Sequence, residues 1–96
     1  MSQQKQLTAI VHGYVQGVSF RYYTQRAANR LGLTGWVANR RDGTVKAVVE
    51  GDEAALRQFL AFLHQGSPAA RVARVEETWA EAEGDYQNFS VRFTDG

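Results

Sequence analysis

Residues 6–13, QLTAIVHG, alternate, with Leu7, Ala9 and Val11 on one side and Thr8, Ile10 and His12 on the other. Period two marks a strand, and Ile10 leaves its second side only partly polar. The period changes at residue 20. Phe20, Tyr23, Ala27 and Leu31 recur at helical spacing over 20–32, Ser19 stands where an N-cap belongs, and Gly32 is a natural stop. Two strands follow, 35–41 (GWVANRR) and 44–50 (TVKAVVE), flanking the hairpin signal Asp42-Gly43. In the second, Val45, Ala47 and Val49 share a face, with Lys46 and Glu50 opposite. Asp52 reads as the N-cap of a second helix with the stripe Leu56, Phe59, Leu60 and Leu63, ended by Gly66 and Pro68. Residues 71–82 put Ala73, Val75 and Trp79 on one parity, interrupted by Glu77, as a strand with an exposed side. Phe89, Val91 and Phe93 alternate with Ser90 and Arg92 in a last, short strand.

The order is β-α-β-β-α-β with that short strand added. One-sided strands and two amphipathic helices predict an α+β fold of two layers, a mostly antiparallel sheet with both helices on one face. This is the ferredoxin-like sandwich. A chain of 96 residues builds one core, so residues 1–96 are expected to form a single domain, without linker or repeat. Metal chaperones, RNA binders and enzymes share that architecture, so function must be argued from a site.

Composition narrows the classes. A net charge of +1 offers no concentrated basic surface for nucleic acid, though it leaves room for a pocket that holds one phosphate. The absence of cysteine removes disulfides, thiolate metal sites and a thiol nucleophile. The polar start, MSQQKQLTAIVHG, lacks the apolar core of a secretory signal, and no stretch approaches membrane-spanning length. A cytoplasmic location and no membrane partner are the expectation.

The strand-to-helix junction VHGYVQGVSFR, residues 11–21, is the first candidate for chemistry. Gly13 and Gly17 let the backbone turn successive N–H groups toward one anion, and the helix start adds its positive end. Arg21 falls in the first helical turn, where a cation opposes the dipole unless something offsets it, as a phosphate facing its guanidinium fork would. A tight turn followed by a surface arginine explains the same spacing equally well. Asn39 is the second candidate. Strands disfavour asparagine, so its amide either helps form the turn or holds a water molecule. His12 and His64 show no linking carboxylate pattern, and no metal site is expected. Trp36, Trp79, Tyr22 and Tyr23 read as packing residues. Glu76, Glu77, Glu81 and Glu83 read as a solvated strand face, with Arg40 and Arg41 offsetting them or drawing in an anion.

Together these phrases resemble the acylphosphatase family. VHGYVQGVSFR is similar to its V-x-G-x-V-Q-G-V-x-F-R hallmark, and GWVANRRDGTVKAVVEG, residues 35–51, to its G-W/F-V-x-N-x-x-x-G-x-V phrase. The resemblance implies hydrolysis of acyl phosphates to a carboxylate and phosphate on a ferredoxin-like fold. By position, Arg21 would bind the phosphate, helped by backbone N–H groups of Gln16, Gly17, Val18, Ser19 and Phe20 in a cradle that begins at Gly13. Asn39 would position the attacking water and Thr44 would support the site. Arg40 stands where some relatives carry threonine, which bears on supporting hydrogen bonds and not on the two main roles. No cofactor or metal is implied, the expected partner is a small acyl phosphate, and the polar faces of the elements suggest a monomer.

Such sparse equipment suits the reaction. The leaving carboxylate has a conjugate acid of pKa about 4 and needs no general acid. Phosphoryl transfer passes through a loose transition state, so catalysis reduces to holding the phosphate, spreading its charge and aligning a water. The competing expectation is a phosphate- or carbamoyl-phosphate-binding module without catalysis, of the kind that heads larger hydrogenase-maturation proteins. With no cysteine-rich neighbour in this chain, a free-standing enzyme is the expectation.

Overall fold

Seven elements follow one another in a computed structural model that describes residues 4–94. They are β1 (Gln4–Tyr14), α1 (Phe20–Arg30), β2 (Thr34–Asn39), β3 (Val45–Asp52), α2 (Glu53–Gln65), β4 (Arg71–Glu81) and β5 (Phe89–Thr94). The strands form one sheet in the order β4-β1-β3-β2-β5. Every neighbouring pair is antiparallel except β2 and β5, so the sheet is mixed. It follows that β1, β2 and β5 run in one direction and end at the same end of the sheet. There α1 begins. Three strand ends and one helix start are thereby gathered from distant parts of the chain.

Alternation along the strands decides which side chains meet the helices. Leu7, Ala9 and Val11 of β1, Val37 of β2, and Val45, Ala47 and Val49 of β3 share one cluster with Phe20, Ala27 and Ala28 of α1 and with Leu56, Phe59, Leu60 and Leu63 of α2. Each large member contributes about 1.5–3 kcal/mol on burial. In α1 the buried stripe includes Thr24, whose hydroxyl donates to the Phe20 carbonyl (2.8 Å), whereas Tyr23 and Leu31 lie half-buried at its edge. The helix stops as expected: Gly32 N–H donates to the Asn29 carbonyl (3.2 Å) and Leu33 N–H to that of Ala28 (2.9 Å), a closure that satisfies two terminal carbonyls.

The opposite parity builds a second, smaller cluster of Trp36, Ala38 and Val48 with Tyr86 against it. Residues 82–88 carry the chain from β4 at one edge to β5 at the other. That span is about 19 Å at ~4.8 Å per strand, within reach of seven extended residues at ~3.4 Å each. The segment is tied to the sheet by Glu50. Its buried carboxylate accepts from Glu83 N–H (2.9 Å), Gly84 N–H (3.1 Å) and the Gln6 amide (2.8 Å). Burial alone would push the Glu50 carboxyl up, but the three donors hold it below its ordinary value.

Local expectations needed correction at five points. β2 ends at Asn39, because Arg40 enters the turn, where Gly43 N–H donates to the Arg40 carbonyl (3.1 Å); β3 begins only at Val45. Ser19 and Asp52 occupy the N-cap positions without capping through their side chains. Asp52 instead accepts from the Gln4 amide across β1 and β3 (2.7 Å). In β4 the register slips by one residue, with His12 opposite Arg74 and Gly13 opposite Val72. This bulge leaves Ala73 exposed and turns Val72, with Val75 and Trp79, onto the core.

Candidate active site

The loop between β1 and α1 is held from three sides. Gly13, still in β1, has φ 131°, and a Cβ there would lie 2.1 Å from the Arg71 carbonyl oxygen, so it lets β4 approach at the bulge. Gln16 sends its side-chain amide into the β2–β3 turn, donating to the carbonyls of Arg40 (2.7 Å) and Thr44 (2.8 Å). From the turn after α2, the buried Ser67 hydroxyl donates to the Val18 carbonyl (2.6 Å). A trans peptide points its N–H opposite its C=O, so this bond turns Ser19 N–H away from Ser67. Gly17 (φ 74°) and Ser19 (φ 61°, ψ 25°) then bend the chain into α1. A left-handed conformation costs a non-glycine residue about 1–2 kcal/mol, and at Ser19 that strain lies in the middle of the anion-binding candidate.

Arg21 is clamped by β5. Its Nη1 donates to two consecutive carbonyls, those of Arg92 (2.7 Å) and Phe93 (3.1 Å). Consecutive carbonyls of a regular strand point to opposite sides. Here the pairing with β2 slips, with Ala38 opposite Arg92 and Asn39 opposite Thr94, so Phe93 bulges. The bulge offsets the cation at the helix start with two carbonyl dipoles. A guanidinium has five N–H groups, and the clamp leaves those on Nε and Nη2 for an anion. No acidic residue lies in the first turn of α1 to neutralise its positive end.

Asn39 closes β2 at the same end of the sheet. The turn that follows does not use its amide. Asp42 does that work, accepting from the Thr44 backbone N–H (3.0 Å) and hydroxyl (2.6 Å), and these bonds hold its carboxyl below the ordinary value. The Thr44 hydroxyl is therefore engaged with Asp42, and Thr44 reaches the loop only through the carbonyl that Gln16 grips. The Asn39 carboxamide makes no side-chain hydrogen bond among the described residues, which leaves both its oxygen and its NH₂ available to a water.

A cavity of about 450 Å³ joins these parts, lined by Val15, Gly17, Ser19, Phe20, Arg21, Tyr22, Gln25, Asn39 and Val91. Five residues singled out from the sequence thus meet in one place: Gly17, Ser19, Phe20, Arg21 and Asn39. Gly13, Gln16, Val18 and Thr44 lie behind the lining, and the bonds described above connect the last three to it or to the adjoining turn. Sequence reasoning missed Val15, Tyr22, Gln25 and Val91, and also Ser67. Gln25 was findable as the residue one helical turn beyond Arg21. Val91 was not, because only the parallel pairing of β5 with β2 brings it there. Among the described residues no group of three or more His, Cys, Asp or Glu side chains stands close enough to hold a metal ion. The lining includes one cation and no carboxylate, a balance that favours a small anion.

The family model and the relatives found by sequence name one family. A family model described as acylphosphatase matches residues 7–91. The acylphosphatase of Thermococcus kodakarensis is 51% identical over 74 residues, which are 77% of this chain and 81% of that protein. The acylphosphatase of Anaeromyxobacter dehalogenans is 43% identical over 93 residues, 97% of this chain and 100% of that protein. The crystal structure of acylphosphatase from Bacillus subtilis superimposes with a TM-score of 0.90 at 39% identity, covering 93% of this chain and 99% of that one.

Proposed function

Because the chain belongs to the acylphosphatase family and is a hydrolase of acyl phosphates, we propose that Arg21 and Asn39 divide the reaction between them. Arg21 binds the phosphoryl group through Nε and Nη2, and N–H groups of the Gln16–Phe20 loop surround the remaining oxygens. Asn39 orients a water for in-line attack at phosphorus. The P–O bond to the acyl carboxylate breaks, the carboxylate departs with the bonding electrons, and the water's proton passes to the phosphate. The meeting of Arg21 and Asn39 in one cavity carries this reading. The engagement of Asp42 with the turn supports it further, because it frees the Asn39 amide for water.

Charge spreading over preorganised donors is the main contribution, since a carboxylate needs no protonation to leave. Arg21→Ala is expected to lower kcat/KM for benzoyl phosphate by about 10³-fold or more and to abolish competition by inorganic phosphate. Asn39→Ala should lose turnover while inorganic phosphate still binds. Phosphate release by Arg21→Ala at the parent rate would sink the assignment. Hydrolysis by the parent separates catalysis from mere capture of the ligand.

The same reading takes residues 1–96 as one domain acting alone in the cytoplasm. It takes the fold as the ferredoxin-like sandwich with both helices on one face. The single cluster shared by α1, α2 and the sheet supports the latter, and no helix among the described residues is long and apolar enough to cross a membrane.

A further inference from the structure

The phosphate-binding groups occupy only part of the cavity. A phosphate group has only one phosphorus and four oxygens, and about 450 Å³ leaves space beyond it for the acyl chain. Of the apolar side chains in the lining, Val15 and Phe20 are 1% and 2% exposed and present almost no surface. Tyr22 and Val91 are 54% and 40% exposed and stand at the opening. Scattered exposed apolar residues need no explanation, but these two come from separate elements, α1 and β5, to one anion site. Both are held in place. The Tyr22 ring meets Tyr23 edge-on (5.4 Å between centroids, 83°) and carries the Arg26 guanidinium 5.7 Å from its centroid. Val91 is set by the register of β5, opposite Val37.

We propose that Tyr22 and Val91 form the acyl subsite and select apolar acyl groups, aromatic ones foremost, over short or anionic ones. The proposal rests on the acyl phosphate reaction assigned above. In that reaction the carboxyl carbon is joined to phosphorus through one oxygen, so its substituent projects just outside the phosphate cradle. An aromatic substituent there can lie offset or edge-on against the Tyr22 ring, with Val91 covering its other side. Among the lining residues an anionic substituent meets no free cation, because Arg21 commits its fork to the phosphate and Arg26, outside the lining, is seated on the Tyr22 ring.

The test compares kcat/KM for benzoyl, acetyl and succinyl phosphate, with inorganic phosphate as a competitive probe of the cradle. The parent should favour benzoyl phosphate over the other two. In the Tyr22→Ser/Val91→Ser double variant the benzoyl-to-acetyl ratio should fall about tenfold, while the inhibition constant for phosphate stays within about twofold. Tyr22→Phe should keep the parent ratio, because the ring and not the hydroxyl makes the contact. Both side chains are substantially exposed, and should the double variant fail to fold, Tyr22→Ser alone decides through the same ratio. An unchanged ratio, or a parent preference for acetyl or succinyl phosphate, overturns the subsite while leaving the reaction intact. Hydrolysis of none of the three by the parent overturns the reaction itself, and the subsite with it.

Discussion

Gly13 and Gly17 both adopt positive φ, for different reasons, and their substitutions should differ accordingly. A Cβ at Gly13 collides with the backbone of Arg71 and Ala73, which no side-chain movement relieves. Around Gly17 no atom lies within 4 Å of such a Cβ, so only the conformational cost of about 1–2 kcal/mol applies. Gly13→Ala is therefore expected to destabilise by more than ~3 kcal/mol, clearly beyond Gly17→Ala, in urea unfolding at neutral pH. Equal losses would mean that β1 and β4 do not approach as described. Gln16 acts on a different quantity. It joins the cradle loop to the turn after Asn39 without lining the cavity, so Gln16→Ala should loosen the spacing between phosphate and water. The expected result is a fall in kcat of about 10²-fold with phosphate inhibition nearly retained. Loss of phosphate binding alone, at unchanged kcat, would contradict that role.

Elements meet at this site through irregularities rather than regular pairing. The slip in β5 presents two carbonyls to Arg21, and the slip in β4 accompanies the close approach at Gly13. The turn after α2 contributes the third constraint through Ser67. Removing its hydroxyl costs one partly buried hydrogen bond, about 1 kcal/mol, and frees the Val18 peptide to rotate. Ser67→Ala should accordingly weaken inorganic phosphate binding several-fold, read as its inhibition constant, while the water attack proposed for Asn39 stays in place. A variant that lost stability but bound phosphate as tightly as the parent would show that Ser67 serves packing only.

At the scale of the whole molecule, the crossing segment 82–88 hangs on Glu50. Glu50→Ala leaves two backbone N–H groups and the Gln6 amide without their acceptor and should cost about 2–3 kcal/mol. The pH dependence has a definite sign. The folded-state pKa of Glu50 lies below the unfolded value near 4.5, so the folded state binds the proton less readily. Its stabilisation is complete above about pH 4.5 and is lost as pH falls through the lower, folded value. Urea midpoints of the parent and Glu50→Gln should therefore converge on acidification and stay apart at neutral pH. A gap independent of pH would rule out the carboxylate as its source.

Much of this was legible in one dimension, and the boundary is physical. Hydrophobic period, together with the Asp42-Gly43 hairpin signal and the residues that start and stop helices, located both helices and all five strands, because amphipathic segments and turns carry their pattern locally. The stripe Leu56, Phe59, Leu60 and Leu63 is buried as its spacing required, and the two phrases around Arg21 and Asn39 pointed to the candidate residues. What stayed hidden were single-residue slips and long-range bonds. Ala73 and Val72 exchanged roles because a bulge resets parity without leaving a mark in composition. Likewise nothing local to Arg21 foretells the carbonyls of Arg92 and Phe93, some seventy residues away. The sequence by itself determined the elements and the chemically capable side chains, since both depend on near neighbours. Only the tertiary structure decided that β1, β2 and β5 end together, that Arg21 is clamped on one side and open on the other, and that Tyr22 and Val91 share the opening beside it.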